Sequence, residues 1–456
     1  VIKKLIDDIG EGGNIVFRLQ GDNQYIHERK HVVQAWSAYC SSSDDAVVGQ
    51  CLVTGKDLPI ARLHPNIKGV AGAQSSGASL VSYNLDAFSS YGKKQSYNAS
   101  ISEKAAFRYT TALNYLLSSE KQRIRFGDTT TVFWAERSGS GLEEDLLGAL
   151  FFPVKEENEK KSKEPDRITR DPRTIQLMHD IFSRIRAGKP IAEELTGVDL
   201  NVNFFILGLA PNASRLAIRF WHLDQYGNIL KKLGQHHKDL EIVRNKNYDP
   251  EFISISRILK ETAPRGDTKR IPPLLGGILM RAILTGMPYS QVLFNSILSR
   301  IRADHNVNYV RAALVKAVLT RNHRFYKKDE EVIKMSLDEQ NINTAYRLGR
   351  LFALLEKAQV DANPGLSATI KDRFFGAASA MPASVLPILL RLNQHHIAKA
   401  EYGRLLDKRI EEVLSLVDSF PHYLKLEEQG LFVLGYYHQR QALYTKKEKE
   451  QKGVEQ

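Results

Sequence analysis

The chain has 456 residues and a mass of 51.5 kDa, enough for roughly two to four domains and at least one sizeable core. Its 43% hydrophobic and 25% charged residues are those of an ordinary folded globular chain, which excludes wholesale disorder and collagen-like structure. Sixty-four Lys and Arg against 52 Asp and Glu give a net charge of +12, a balance that favours a polyanionic partner.

No apolar run reaches the roughly 18 to 20 residues of a bilayer span; the best candidate, 272–287, is interrupted by Arg281. A soluble protein is expected. Cys40 and Cys51 are the only cysteines, and their spacing fits neither a zinc ribbon nor a secreted disulfide framework, so a reducing, cytoplasmic compartment is expected. The sequence opens at Val1 without a signal-peptide pattern, and a lost N-terminal portion is expected. Residues 335–456 carry 16 basic and 15 acidic side chains, which leaves 48 against 37 in residues 1–334. The electrostatic partner is therefore expected on the N-terminal part.

Taken in chain order, residues 14–19 (NIVFRL) and 129–135 (TTTVFWA) are short β-branched and aromatic runs between turn formers, and they predict strands. Between them, Ser100 with Glu103 forms a capping-box pattern, followed by apolar residues at helical spacing, which predicts a helix over 101–118. Residues 155–173 hold seven basic and six acidic side chains with two prolines, which predicts a solvated linker. A helix is predicted from about Ile175 to Ile185. Residues 201–221 predict two strands around a Pro211–Asn212 turn.

From about Leu274 the pattern is helical, with apolar residues every three or four positions in 274–302, 307–320, 343–359, 383–401, 403–418 and 428–444. Arg321 to Met335 is polar and reads as a hinge, and 445–456 as a disordered tail. The expected fold is an α+β N-terminal region followed by an all-α C-terminal helical bundle. Its expected segments are 1–154, a linker at 155–173, a mixed to basic helical region at 174–334, a bundle at 335–444, and the tail.

Three constellations bear on nucleic acid. The Gly-rich stretch GVAGAQSSGASL (69–80) follows Lys68 and offers the Gln74 amide and the Ser75 and Ser76 hydroxyls. It lacks the Gly-Lys-Ser/Thr of a Walker A loop and the spacing of the dinucleotide glycine motif, and an ordinary tight turn is the competing reading. Residues 91–98 (YGKKQSYN) interleave Tyr91 and Tyr97 with Lys93, Lys94, Gln95 and Asn98, supplying charge for phosphates, flat faces for stacking and amides for base edges. The competing reading is a solvated loop before the helix. Between 297 and 328, eight basic side chains, among them Arg300, Arg302, Arg311, Lys316 and Arg321, face the single acid Asp304, a pattern suited to tracking a phosphate backbone.

Catalytic signatures are missing from the sequence. The adjacent pairs His236–His237 and His395–His396 lack the i, i+4 spacing of two metal ligands on one helix face. Neither a Gly-x-Ser-x-Gly elbow nor a kinase set occurs. No catalytic residue, metal or cofactor is expected.

The block CLVTGKDLPIARLHPNIKGVAGAQSSGASLVSYNLDAFSSYGKKQSYNAS (51–100) resembles the signature block of the large subunit of the type I-C CRISPR effector complex, Cascade. The resemblance continues in TTVFWAE (130–136), LGLAPNASRLAIRFW (207–221), GGILMRAILTGMPYSQVLFNSILSRIRAD (276–304), AYRLGRLFALLEKAQ (from 345) and TIKDRFFGAASAMPA (to 383). It covers effectively the whole chain. It implies a non-enzymatic, prokaryotic, cytoplasmic subunit of a crRNA-guided surveillance complex. Such a subunit recognises the protospacer-adjacent motif in duplex DNA, helps unwind it and stabilises the R-loop. Its implied partners are double-stranded target DNA, crRNA, the backbone subunits, small-subunit copies and a helicase-nuclease recruited afterwards. The small subunit arises in this family from an internal start, for which Met335 is the candidate, and the family implies a further segment ahead of residues 13–19.

On chemistry, Lys68, Gln74, Ser75, Ser76, Lys93, Lys94 and Asn98 are expected to read the motif or wedge the duplex, and Arg300, Arg302, Arg311, Lys316 and Arg321 to follow a DNA backbone. Two alternatives stay open. One is a metal-dependent nuclease built on a histidine pair, and the other an RNA-binding scaffold without motif recognition.

Overall fold

The chain divides into two units, residues 1–67 with 79–113 and residues 68–78 with 114–456. The computed structural model describes residues 16–40, 46–137, 142–151, the helical positions 176, 177, 180, 181, 183 and 184, 198–327, and 333–454. The 155–173 linker expected from sequence lies outside the described residues. The boundaries expected at 154 and 334 are not those of the two units.

The first unit holds helix α1 (Lys30–Cys40) and the antiparallel pair β1 (Val48–Gln50) and β2 (Asp57–Pro59). Its small core gathers Cys51, Ile60 and Ala105, with Leu58, Tyr97 and Ile101 packed against them. The strand expected at 14–19 is reduced, among its described residues, to an isolated bridge from Arg18 to Tyr25. Helix α2 (Glu103–Ser118) matches the predicted span. Its start is set by Ser102, whose Oγ accepts from the Ala105 N–H at 3.3 Å, two residues beyond the expected cap at Ser100; a side-chain oxygen there satisfies one of the unpaired donors of the first turn.

The second unit is built on a four-stranded antiparallel sheet of β3 (Arg123–Phe126), β4 (Thr129–Ala135), β5 (Asn203–Asn212) and β6 (Arg215–Gln225), in that spatial order. The β5–β6 hairpin turns at Ala213–Ser214 rather than at Pro211–Asn212, because Asn212 still pairs with Arg215. Ala213 takes the left-handed conformation (φ 53°) that a two-residue loop demands. One sheet face is buried through Phe126, Phe133, Phe204, Ile206 and Phe220. The same core takes in α3 (Leu142–Phe151), α4 (Tyr226–Leu240), α5 (Ile255–Lys260) and α6 (Leu275–Thr285).

The helical region follows: α7 (Gln291–Asp304), α8 (Tyr309–Asn322), α9 (Thr344–Ala362), α10 (Ile370–Ala378), α11 (Pro382–Lys399), α12 (Gly403–Leu414) and α13 (Leu426–Val454). The architecture is thus a sheet-containing N-terminal part followed by a helix-rich C-terminal part, as expected. The block predicted as one helix over 274–302 is split. Gly286, at φ 75°, ends α6, and the Ser290 side chain caps α7 by accepting from the Leu293 N–H at 3.2 Å. The hinge expected from Arg321 begins inside α8 and continues as a π-helical turn, His323–Lys327, with Arg321 and His323 buried. The tail expected to be disordered is helical to Val454. No helix among the described residues is long and apolar enough to cross a membrane.

Two glycines set the central helix crossing. A Cβ on Gly349 of α9 would lie 2.0 Å from the Phe432 carbonyl oxygen, and one on Gly435 of α13 would lie 2.0 Å from that of Tyr346. The two backbones meet where only hydrogen fits. Beside this contact, the Tyr346 hydroxyl accepts from the Asp338 N–H (3.1 Å) and shares a 2.9 Å hydrogen bond with His438 Nδ1. Burial holds the His438 imidazole down at about 4.

Gly435→Ala is expected to lower unfolding free energy by about 3 kcal/mol, the upper end for overpacking, while Ala added at the exposed Gly365 position, which meets no atom, costs only its positive-φ strain; chemical denaturation compares them. Because the folded protein keeps His438 neutral while the unfolded chain protonates near pH 6.5, stability is complete above that pH and falls as pH drops towards 4. His438→Gln is expected to flatten the loss between pH 6.5 and 4.5 in thermal melts.

Candidate nucleic-acid interface

In the first unit, residues 90–98 form a tightly held projection. Ser90 and Lys93 pair across a turn whose central residues, Tyr91 and Gly92, both have positive φ (52° and 70°). Holding tyrosine there costs about 1 kcal/mol, so the surroundings must enforce it. Asn98 does so. Its Oδ1 accepts from the Ser90 N–H, and its Nδ2 donates to the carbonyls of Lys93 and Gln95, each at 2.9 Å.

The base of the loop is fixed as well. Arg62 Nη1 donates to Gln95 Oε1 at 3.1 Å, the Ser96 N–H donates to the Arg62 carbonyl at 3.2 Å, and Ser96 is buried. Tyr97 packs into the small core. What remains outside is Lys93, Lys94 and Tyr91, the last 98% exposed at the tip. Asn98, chosen from sequence as a base reader, spends its amide on shaping the loop. Of the two tyrosines that the sequence offers as stacking faces, Tyr91 is the one at the tip, before Gly92 in the register of a two-residue hairpin turn, while Tyr97 is turned into the core.

In the second unit, the Gly-rich stretch 68–78 is docked on the sheet. The Lys68 N–H donates to Asn114 Oδ1 (2.7 Å) and the Ala71 N–H to Thr130 Oγ1 (3.0 Å). Gly72, at φ 79°, lies against Pro211, where a Cβ would be 3.3 Å from the ring. Val70, Gly77 and Ala78 are buried, and the Gly77 N–H closes a turn onto the Gln74 carbonyl at 2.9 Å. That turn leaves Gln74, Ser75 and Ser76 exposed, and the Lys68 side chain is exposed too. The glycines therefore serve close packing on the sheet, and the polar tip is what faces outward.

The basic stretch over 297–328 requires correction. Arg311, Lys316 and Arg321 are buried and cannot follow a phosphate backbone from there. Arg311 donates to Glu261 Oε2 (2.7 Å) and Asp304 Oδ2 (2.6 Å). Lys316 Nζ donates to the Asp239 carbonyl (3.1 Å), and burial, partly offset by Asp239 and Glu241, lowers its basicity. Arg321 pairs with Asp239 at 3.1 Å, donates to the carbonyls of Ala282 and Met287, and lies 4.1 Å above the Tyr289 ring. Arg300 is paired with Asp304, and Arg302 donates to Gln429. Burial works against the Asp304 carboxylate, but hydrogen bonds from Arg300 and Arg311 outweigh it and hold its carboxyl below the usual range. Counting charge within one stretch missed Asp239 and Glu261, which the fold brings in from elsewhere.

Of the histidine pairs, the first is packed into the core. His236 is fully buried, with Nδ1 2.5 Å from the Tyr289 hydroxyl, and burial holds it neutral well below its ordinary range. Among the described residues no group of three or more His, Cys, Asp or Glu is placed to hold a metal ion.

Removing Arg321 leaves the buried Asp239 carboxylate with one charged partner, Arg324, beside the Gln235 amide, so Arg321→Met is expected to cost about 3 kcal/mol or more with no change in the salt dependence of any DNA binding that survives. Denaturant titration and binding at several salt concentrations read the two effects separately; a reduced salt slope with intact stability would return Arg321 to the interface.

The comparison with curated proteins found no match. The family model of the CRISPR-associated protein Cas_Csd1 matches residues 1–444, in agreement with the resemblance carried by the Gly-rich and Tyr91 blocks. The chain belongs to the Cas_Csd1 family of CRISPR-associated proteins, the large subunit of type I-C Cascade.

Proposed function

We propose that the protein is the non-catalytic, motif-reading subunit of its CRISPR effector complex. It recognises a short protospacer-adjacent motif in duplex DNA in the prokaryotic cytoplasm, helps open the duplex and steadies the R-loop, and leaves cutting to a recruited helicase-nuclease. The observation that carries the reading is the projection at 90–98, which offers a fully exposed aromatic ring and two lysines on a turn that is rigid before any ligand arrives. Pre-organisation of this kind reduces the ordering cost of binding.

Division of labour follows from the chemistry. Lys93 and Lys94 are point charges for phosphates, Tyr91 is a flat apolar wedge for a base step, and Gln74, Ser75 and Ser76 carry the donors and acceptors that base edges require. The guide RNA reads the remaining sequence by pairing.

The test is binding of the assembled complex to short duplexes that differ only beside the target. Lys93→Ala with Lys94→Ala is expected to weaken all duplexes alike and to reduce the salt slope by about two. Gln74→Ala is expected to relax motif preference at an unchanged slope, and Tyr91→Ala to leave initial duplex binding in place while slowing strand opening read by 2-aminopurine fluorescence. Equal binding to every duplex by the wild-type complex would favour a scaffold holding RNA alone.

A further inference from the structure

The sheet of the second unit has two unlike faces. Phe133, Phe204, Ile206 and Phe220 close one face into the core. On the other, Trp134, Phe205 and Trp221 form a cluster across three adjacent strands. Register places Trp134 opposite Phe205, and Leu207 opposite Trp221. The Trp134 and Phe205 rings stack at 5.3 Å and 10°, and Trp221 lies 5.8 Å from each. Trp221 is 53% exposed, and its neighbours Ile218 and Leu223 are about as open. Only three tryptophans occur in the chain, and two are here. An aromatic patch of this kind, with Trp134 and Phe205 half-buried beside the open Trp221, marks a binding surface.

The groups around the patch identify the class of occupant. Arg123 and Arg125 share this face from β3, since they pair with Val132 and Thr130; each spends one guanidinium donor on a carbonyl, of Leu117 and Gly127 respectively, and Arg125 is the exposed one. Arg137 follows the Trp134 end of β4 and is exposed. The acids at that end are engaged: Glu136 accepts from Asn203 Nδ2 at 2.9 Å, Glu144 from the Ala135 N–H at 3.0 Å, and Asp145 pairs with Lys121 at 3.1 Å. Exposed Arg125 and Arg137 thus stand beside flat rings while the nearby acids are held by donors of the fold, which matches an anionic chain of unpaired bases. The Gly-rich stretch crosses the other end of the same face, where the Ala71 N–H donates to Thr130 Oγ1.

We propose that this half-sheet is a stacking platform for unpaired bases of a single-stranded nucleic acid, with the β3 arginines beside its phosphates. The platform rests on the nucleic-acid reading above and adds a second site, distinct from the duplex-reading loop of the first unit.

Tryptophan emission tests it directly. In the 456-residue Trp36→Phe chain only Trp134 and Trp221 emit, and titration with a single-stranded oligo(dT) of about 12 nucleotides is expected to quench them saturably. Phe205→Ala is expected to weaken binding roughly fivefold or more, and so is Trp221→Leu, which keeps apolar surface but removes the stacking face. An unquenched emission, or a Trp221→Leu variant that binds like its parent, would overturn the proposal. So would emission that responds to added backbone subunits of the complex and not to oligo(dT), which would make the patch a protein interface. If the duplex preference tested through Gln74 and Lys93 persists while these variants do nothing, the platform alone fails; if the protein binds no nucleic acid, both readings fail.

Discussion

The second unit depends on one buried carboxylate. Asp239, near the end of α4, is 1% exposed and takes hydrogen bonds from Arg321 at 3.1 Å and from Arg324 at 2.5 Å, while its own carbonyl accepts from Lys316. Through Arg321 the same centre reaches the carbonyls of Ala282 in α6 and Met287 in the connection to α7, and the face of Tyr289, whose hydroxyl meets His236 back on α4. A charge taken from water is costly unless every partner is in place. The network therefore fixes the relative positions of α4, α6 and α8, the elements through which the sheet layer joins the helical layer. Hydrophobic contacts alone would tolerate small slips there that hydrogen-bond geometry does not.

That arrangement also redistributes the meaning of the net charge. Arginines and lysines that look like a polyanion-binding stretch in sequence are neutralised internally by Asp239, Glu261 and Asp304. The positive groups left for a partner include those on loops and strand edges: Lys68, Lys93 and Lys94, with Arg125 and Arg137 at the sheet. Functional contacts on a rigid scaffold's loops are the usual outcome, because loops can present polar groups that packed helices must satisfy internally.

Local patterns were legible where a single element decides its own conformation. The Thr129–Ala135 strand, the Glu103–Ser118 helix and the β5–β6 pair follow from alternation, spacing and turn chemistry. So do most helices after Leu275, though 274–302 reads as one periodic block where Gly286 and Ser290 in fact end one helix and begin another. Helix α4 was missed because its sequence, YGNILKKLGQHHKDL, is rich in polar residues; His236, His237 and Asp239 are buried on it only because Tyr289, Arg321 and Arg324 come from far along the chain. The candidate site was legible as two loops. Which residues face outward was not, since the Asn98 amide turns inward as the clasp of the turn and Tyr97 packs into the core, leaving the Tyr91 ring as the tip.

The two sheet faces show why such a site can be built without weakening the fold. Side chains alternate along a strand, so β4 and β5 contribute Phe133, Phe204 and Ile206 to the core while Trp134 and Phe205 emerge on the other side. Stability and recognition are thereby carried by neighbouring residues that do not compete for the same space. On the outer face, the Gly-rich stretch covers the Thr130 end and stops, and it can lie that close because Gly72 meets Pro211 without a side chain. The remaining rings gain what shelter they have from one another, Trp134 against Phe205 and both against Trp221. A protein that needed this surface only for solubility would place charged or polar residues at such positions; three mutually packed aromatic rings beside arginines of the neighbouring strand instead fit the stacking role proposed for the open half of the sheet.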